Sequence, residues 1–272
     1  MSFHWSNNVL GVINILMFLF SIPIIVVGVL ITKSGITACG LSSDKSLVGI
    51  GVSIMIFSLV GFFASCCRGR WVRWVLCSYL VVVIILILTG FGFTVFTFAV
   101  SNKGSGQTIP GKEYKEYKLE KYSSFIQLLI NEPRSWKSIR TCIVDSKICN
   151  AYETRYRHDT VQMLYQERLN SLQSGCCKPP DECGFTYRGP TNWTEENGVY
   201  YNHNPDCKAW ENIPQVLCFN CQSCKAGAAD NIKRSLKKEA TVNVVFLLLL
   251  IIVYCIGVCA CRNRAKDNAY SA

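Results

Sequence analysis

Cys218, Cys221 and Cys224 recur at three-residue intervals late in a long polar segment. Thiols at this spacing can hold zinc or form a redox-active Cys-x-x-Cys pair. Zinc fits poorly, because a structural site needs four ligands and an environment that keeps thiols reduced. Gly106, Gly111 and Lys112 resemble the start of a phosphate-binding loop, but Glu113 stands where Ser or Thr would hold magnesium, and no soluble strand precedes it. The only histidines are His4, His158 and His203. His158-Asp159 reads as a solvated pair, and the chain carries neither a nucleophile elbow nor a metal-binding helix pair. No catalytic residue, cofactor or metal is therefore expected.

The remaining chemistry is covalent. Sixteen cysteines in 272 residues are many for a reduced compartment, so part of the chain should fold where disulfides persist. Nine fall in one segment: Cys142, Cys149, Cys176, Cys177, Cys183, Cys207, Cys218, Cys221 and Cys224. Nine is odd, and Cys39 lies in a short segment upstream. Ten would close five disulfides and link the two segments. Spacing cannot choose among the pairings. It does make one exclusion: if 142–149 is helical, those two cysteines sit about 10 Å apart along the axis and cannot pair with each other. Asn192-Trp193-Thr194 is the chain's single N-glycosylation sequon and falls within the same segment.

The elements that must position these residues follow from hydropathy. The chain is 50% hydrophobic and 17% charged, with a net charge of +10 and a mean hydropathy of +0.24. These values exclude disorder, a nucleic-acid-binding tail and an ordinary soluble domain. Residues 9–31, 47–67, 74–100 and 241–261 are long enough to cross a bilayer and contain no Asp, Glu, Lys, Arg or His. The expected fold is an all-α membrane protein. Its four transmembrane helices carry a disulfide-rich, mainly helical outer domain. The absence of ionisable groups in the spans argues against pumps and coupled transporters.

Orientation follows from basic residues in the short segments. Segments 1–8, 68–73 and 262–272 carry Arg68, Arg70, Arg73, Arg262, Arg264 and Lys266, whereas 32–46 carries Lys33 and Lys45. Both termini and 68–73 are thus expected in the cytoplasm, with 32–46 and the large domain, 101–240, outside. Lys233, Arg234, Lys237 and Lys238 run against this rule, and either meet lipid headgroups or form a solvated helix face. The cysteines and the sequon decide the orientation.

Asn14, Ser21, Gly28 and Gly35 lie seven apart in the first span. Gly51, Ser58 and Ser65 do the same in the second, with Gly49, Gly61 and Ala64 nearby. Such stripes predict close packing of spans one and two. Pro23 is a potential kink. Cys66, Cys67, Cys77, Cys255, Cys259 and Cys261 cluster toward the cytoplasmic ends and are candidates for S-palmitoylation, Cys66, Cys67 and Cys261 foremost. Buried inert thiols are the alternative.

In the outer domain, Tyr114, Tyr117 and Tyr122, then Phe125, Leu128 and Leu129, recur mostly at three and four residues, which predicts helix over 112–149 interrupted at Pro133. A second helix is predicted over 152–172, ending near Gly175. Residues 176–226 read as disulfide-held loops, and 228–239 as helix feeding span four. Tyr187, Trp193, Tyr200, Tyr201 and Trp210 are candidate contact aromatics, with packing inside the domain the alternative.

Four spans, a short and a long outer loop, and Gly175-Cys176-Cys177-Lys178-Pro179 within the latter resemble the tetraspanin family. This motif replaces the Cys-Cys-Gly usual in animal members and resembles the plant branch. So do Gly111-Lys-Glu-Tyr-Lys-Glu-Tyr117, Asp206-Cys207 and Leu217-Cys-Phe-Asn-Cys-Gln-Ser-Cys-Lys-Ala-Gly227. The resemblance implies disulfides from Cys176 and Cys177 to later loop cysteines. It also implies a non-enzymatic scaffold that gathers other tetraspanins, as homo- and hetero-oligomers, and membrane receptors into lipid microdomains. Plant members imply roles in cell differentiation at the plasma membrane and in secreted vesicles. No nucleic-acid partner is expected. The alternatives are a receptor binding an extracellular ligand through the large loop and, behind it, a four-span channel or junction protein.

Overall fold

The computed structural model describes residues 3–34, 44–66, 70–195 and 204–270. Four long helices dominate: α1 (Phe3–Ser34), α2 (Asp44–Cys66), α3 (Arg70–Ser101) and α10 (Gln222–Tyr270). Each contains a stretch long and apolar enough to span a membrane: Asn8–Val29, Val48–Ser65, Trp74–Ser101 and part of Gln222–Arg262. The chain divides into two units. The first is built from α1, α2, α3 up to Phe96 and α10 from Glu239. The second runs from Thr97 to Lys238.

In the first unit, large side chains such as Phe20, Phe63, Leu88 and Leu248 face outward. This is the inverse of a soluble bundle and suits a hydrocarbon solvent. Between α1 and α2 the buried residues are mostly small or polar. Leu10, Asn14, Ser21 and Gly28 of α1 are buried, as are Gly51, Ser58, Gly61, Ala64 and Ser65 of α2. A Cβ on Gly61 would strike the Asn14 amide, and one on Gly51 would lie 2.6 Å from Ile25. The small-residue stripes therefore form the α1–α2 seam. Gly49 does not belong to it, having an exposed position with nothing nearby. Asn14 donates to the Leu10 carbonyl at 2.8 Å and shares a side-chain hydrogen bond with Tyr79 of α3. Pro23 lies inside an uninterrupted α1. A second seam joins α3 to α10. Asn243 Nδ2 donates to Thr94 Oγ1 at 2.7 Å and to the Gly90 carbonyl at 3.0 Å. A Cβ on Gly257 would collide with Leu80.

The second unit begins where α3 ends. Strands β1 (Gln107–Thr108) and β2 (Lys115–Glu116) pair antiparallel. A 3₁₀ turn, Leu119–Lys121, leads into α4 (Ser124–Asn131) and α5 (Pro133–Asp145). Then come α6 (Ile148–Tyr156), α7 (Val161–Tyr165), α8 (Ser171–Cys176), the hairpin β3 (Thr186–Gly189)–β4 (Asn192–Thr194) and α9 (Pro205–Ala209). Two expectations need correcting. Residues 112–122 are strand and turn, because Gly111 at φ 79° reverses the chain and Tyr114, Tyr117 and Tyr122 all turn inward. The stretch 152–172 is two short helices, α6 and α7, and the start of α8. Thr160 and Asn170 each cap a new helix, Asn170 through a full capping box with Gln173. The break expected at Pro133 stands: α4 stops at Asn131, and Glu132 caps α5 with Pro133 in its first turn.

Candidate interaction site

The second unit is organised around a lysine. Lys178 is completely buried. Its ammonium lies 3.3 Å from both Glu116 and Asp181, donates to the Pro179 carbonyl at 3.2 Å, and sits 4.6 Å from the centre of the Tyr114 ring. Lys112 completes the cluster, 2.7 Å from Asp181 and stacked 4.0 Å over Tyr165. The Tyr114 hydroxyl donates to Asp181 at 3.2 Å. Burial opposes the charge on Asp181, but Lys178 and Lys112 outweigh it and hold the carboxyl below its ordinary range. Burial, then the Asp181 charge, raises the Tyr114 phenol, so it stays a proton donor. Lys112, which looked like a phosphate-loop lysine, is a structural cation.

The cysteines flank this cluster. The structure pairs Cys149 with Cys177, Cys176 with Cys224, Cys183 with Cys207, and Cys218 with Cys221. Cys142 is also disulfide-bonded. Cys39 lies outside the described residues. Cys218, Cys221 and Cys224 are thus all in disulfides, which is incompatible with a zinc site built on them. The adjacent cysteines of α8 reach opposite ways, one to α6 and one to α10. This requires α8 and α10 to touch. A Cβ on Gly175 would collide with the Ser223 carbonyl, and one on Gly227 with the Ser171 carbonyl. The start of α10 is capped from a distance: buried Asp206 accepts from Gln222 N at 2.7 Å and Ser223 N at 2.8 Å. Its neighbour Cys207 forms the staple to Cys183.

The aromatic residues offered for contact mostly pack inward. Trp193 and Trp210 are buried and are joined by Asn212, whose Oδ1 accepts from Trp193 N and Trp210 Nε1. Tyr187 is half-buried, edge-on to Trp193, and donates to the Asp159 carbonyl. His158 is exposed. Tyr200 and Tyr201 lie outside the described residues. Asn192 is exposed at the start of β4. Hollows open among the described residues of this unit. One of 360 Å³ is lined by Tyr117, Lys118, Glu182, Asp206 and Ser223. Another, of 660 Å³, is lined by Phe185, Trp193, Trp210, Ile213 and the Cys183 and Cys207 residues. Ile213 is exposed there. Of the acylation candidates, Cys255 and Cys259 are exposed and Cys77 and Cys261 partly covered. Cys67 and the Cys66 side chain lie outside the described residues.

The tetraspanin family model matches residues 6–262. The chain belongs to the tetraspanin family. Tetraspanin-8 of Arabidopsis thaliana is 48% identical over 266 residues, covering 98% of this chain and 96% of the relative. Tetraspanin-7 of the same plant is 46% identical, covering 97% and 98%. Protein TORNADO 2 is 35% identical, covering 97% and 96%. No solved structure matches. This plant-type tetraspanin therefore carries its family motifs on one structural device. Gly175 permits α8 to touch α10, Cys176 and Cys177 staple it, Lys178 fills the buried charge site, and the Pro179 carbonyl accepts from that lysine. The run 111–117 supplies Lys112, Tyr114 and Glu116, the ring of partners that spacing alone did not reveal. Their signal was the density of Lys, Glu and Tyr in the motif. Asn243 was also missed, although a lone Asn in an apolar span is costly unless bonded.

Proposed function

We propose that this tetraspanin is a non-enzymatic membrane scaffold. Its membrane unit gathers other tetraspanins, and its outer domain selects receptors. The reading places 1–8, 68–73 and 262–272 in the cytoplasm and 32–46 and 101–240 outside. It assigns the protein to the plasma membrane and secreted vesicles, with roles in signalling or cell differentiation. Asn192 is glycosylated, the cytoplasmic-end cysteines are acylated, and Cys39 links the two outer segments through a disulfide. The observation that carries the reading is the inward commitment of the outer domain's charges. Its buried cations and carboxylates satisfy one another, while apolar side chains such as Ile213 remain at the rim of a hollow. That arrangement suits recognition rather than turnover.

The test is cross-linking mass spectrometry on native membranes, comparing wild type with Ile213→Asp. Recurrent tetraspanin neighbours in both, with receptors lost from the variant, is the expected result. A protein without recurrent neighbours would overturn the scaffold. The 660 Å³ hollow favours one second reading, direct binding of an extracellular ligand. Saturable binding by purified, partner-free protein would establish it.

A further inference from the structure

We propose that a basic collar on the second unit, around the turns of α10 that precede its apolar stretch, binds the phosphates of anionic phospholipids. Helix α10 runs without a break from Gln222 into its apolar stretch. Arg234, Lys237 and Lys238 are exposed on it, seven, four and three residues before Thr241. At about 1.5 Å per residue they stand roughly 5–10 Å along the axis from the apolar run, within the depth of a headgroup layer.

Two further segments add charge at the same level. Lys233 Nζ donates to the Gly104 carbonyl, which brings exposed Lys103 beside α10. The same Gly104 packs so closely on Tyr122 that a Cβ would strike the ring. Tyr122 in turn donates to Asp230 of α10 at 3.1 Å. Exposed Lys121, next to Tyr122, reaches back to Gln107 Oε1 at 3.3 Å. Six cations thus converge from three parts of the chain. Three carboxylates oppose them. Asp230 is buried and held by Tyr122 and by Arg234 at 2.7 Å, while Glu120 and Glu239 are exposed.

Lys233 and Arg234 thus have structural partners, which explains why the fold needs them. That explanation does not extend to Lys103 and Lys238, which are exposed cations beside a membrane span. Long lysine stems can lie along apolar surface while the ammonium reaches a phosphate. Each basic residue near an anionic bilayer strengthens association about fivefold.

The experiment uses the full chain in phosphatidylcholine nanodiscs doped with phosphatidic acid, with bound lipid counted by native mass spectrometry. Lys103→Gln/Lys238→Gln should weaken one class of phosphatidic acid sites by about 25-fold at low salt. Lys103→Arg/Lys238→Arg should retain it, and high salt should abolish it in wild type. An unchanged isotherm in the glutamine variant would overturn the proposal, as would salt-insensitive binding. Displacement of the lipid by inorganic phosphate would assign the collar to a free anion instead.

Discussion

Replacing Lys178 by Met removes the charge at the centre of the outer domain while keeping most of its volume. Lys178 is fully buried, and Glu116 and Asp181 retain only 18% and 19% of their side-chain exposure. Deleting one partner of a buried ion pair costs about 3–5 kcal/mol, because the remaining charge is left unpaired. Here the lower end applies, since Lys112 stays 2.7 Å from Asp181, and Glu116 loses its counter-ion but still accepts from the Asp181 amide at 2.7 Å. A loss of about 3 kcal/mol in a domain of this size lowers the melting temperature by about 10 °C. The assay is thermal unfolding of the full chain in nanodiscs under non-reducing conditions, followed by near-ultraviolet circular dichroism. Lys178→Met/Glu116→Gln should recover most of the loss, because the second change removes the unpaired charge. By contrast, Lys118→Met should cost under about 1 kcal/mol, since Lys118 and Glu182 are half exposed. The reasoning fails if Lys178→Met matches Lys118→Met, or if Glu116→Gln gives no recovery.

Further outcomes follow from the same geometry. Acid should loosen the outer domain through Asp181: its folded pKa lies below the unfolded value, so its stabilising contribution is complete above about pH 4 and declines as pH falls through that value toward the folded pKa. Hydrogen exchange of the β1–β2 region against pH reports it, and flat protection down to pH 3 would contradict it. Gly175→Ala and Gly227→Ala should each fail to leave the endoplasmic reticulum, because the new methyl meets backbone rather than a movable side chain. Gly49→Ala should traffic normally, as read by endoglycosidase-resistant glycan on Asn192. Non-reducing peptide mapping should recover Cys149–Cys177, Cys176–Cys224, Cys183–Cys207 and Cys218–Cys221, and should find no free thiol on Cys142 or Cys39. A free thiol on Cys39 would break the proposed link between the outer segments.

The membrane unit was legible in the sequence because the bilayer imposes a single constraint on long apolar runs, and helical spacing then exposes the small-residue seam. Asn14, Ser21 and Ser58 fell on that seam by arithmetic alone. The outer unit was legible only where local chemistry dominates, as at Pro133. Its tyrosines misled, because three- and four-residue spacing also arises when a chain turns repeatedly around one buried cluster. Tyr114, Tyr117 and Tyr122 face a common interior from strand and turn, and Lys178 owes its burial to partners 62 residues upstream as well as three downstream. Such pairing at a distance has no periodicity to read. The tryptophans illustrate the same limit: Trp193 and Trp210 lie inside because Asn212 bonds both, which no spacing rule encodes.

The covalent framework sets how the partner-selection idea can be tested. In the chain-entropy account, disulfides closing loops with separations of 28 and 48 residues contribute about 4 kcal/mol each, against about 2 for the three-residue separation of Cys218–Cys221. A Cys176→Ser/Cys177→Ser variant would therefore forfeit about 8 kcal/mol, within the 5–15 kcal/mol that is typical for a whole domain. Lost partners in that variant would report an unfolded outer domain rather than an altered surface. Ile213→Asp changes an exposed side chain and leaves every staple and the Lys178 cluster in place. If receptors dissociate from that variant while its melting temperature and disulfide map match wild type, the surface itself carries the selection. If they dissociate only when Cys176 and Cys177 are removed, the folded domain is needed but Ile213 is not its contact; if they stay bound in both variants, selection must lie in the membrane helices, beginning with the exposed faces of α1 and α10.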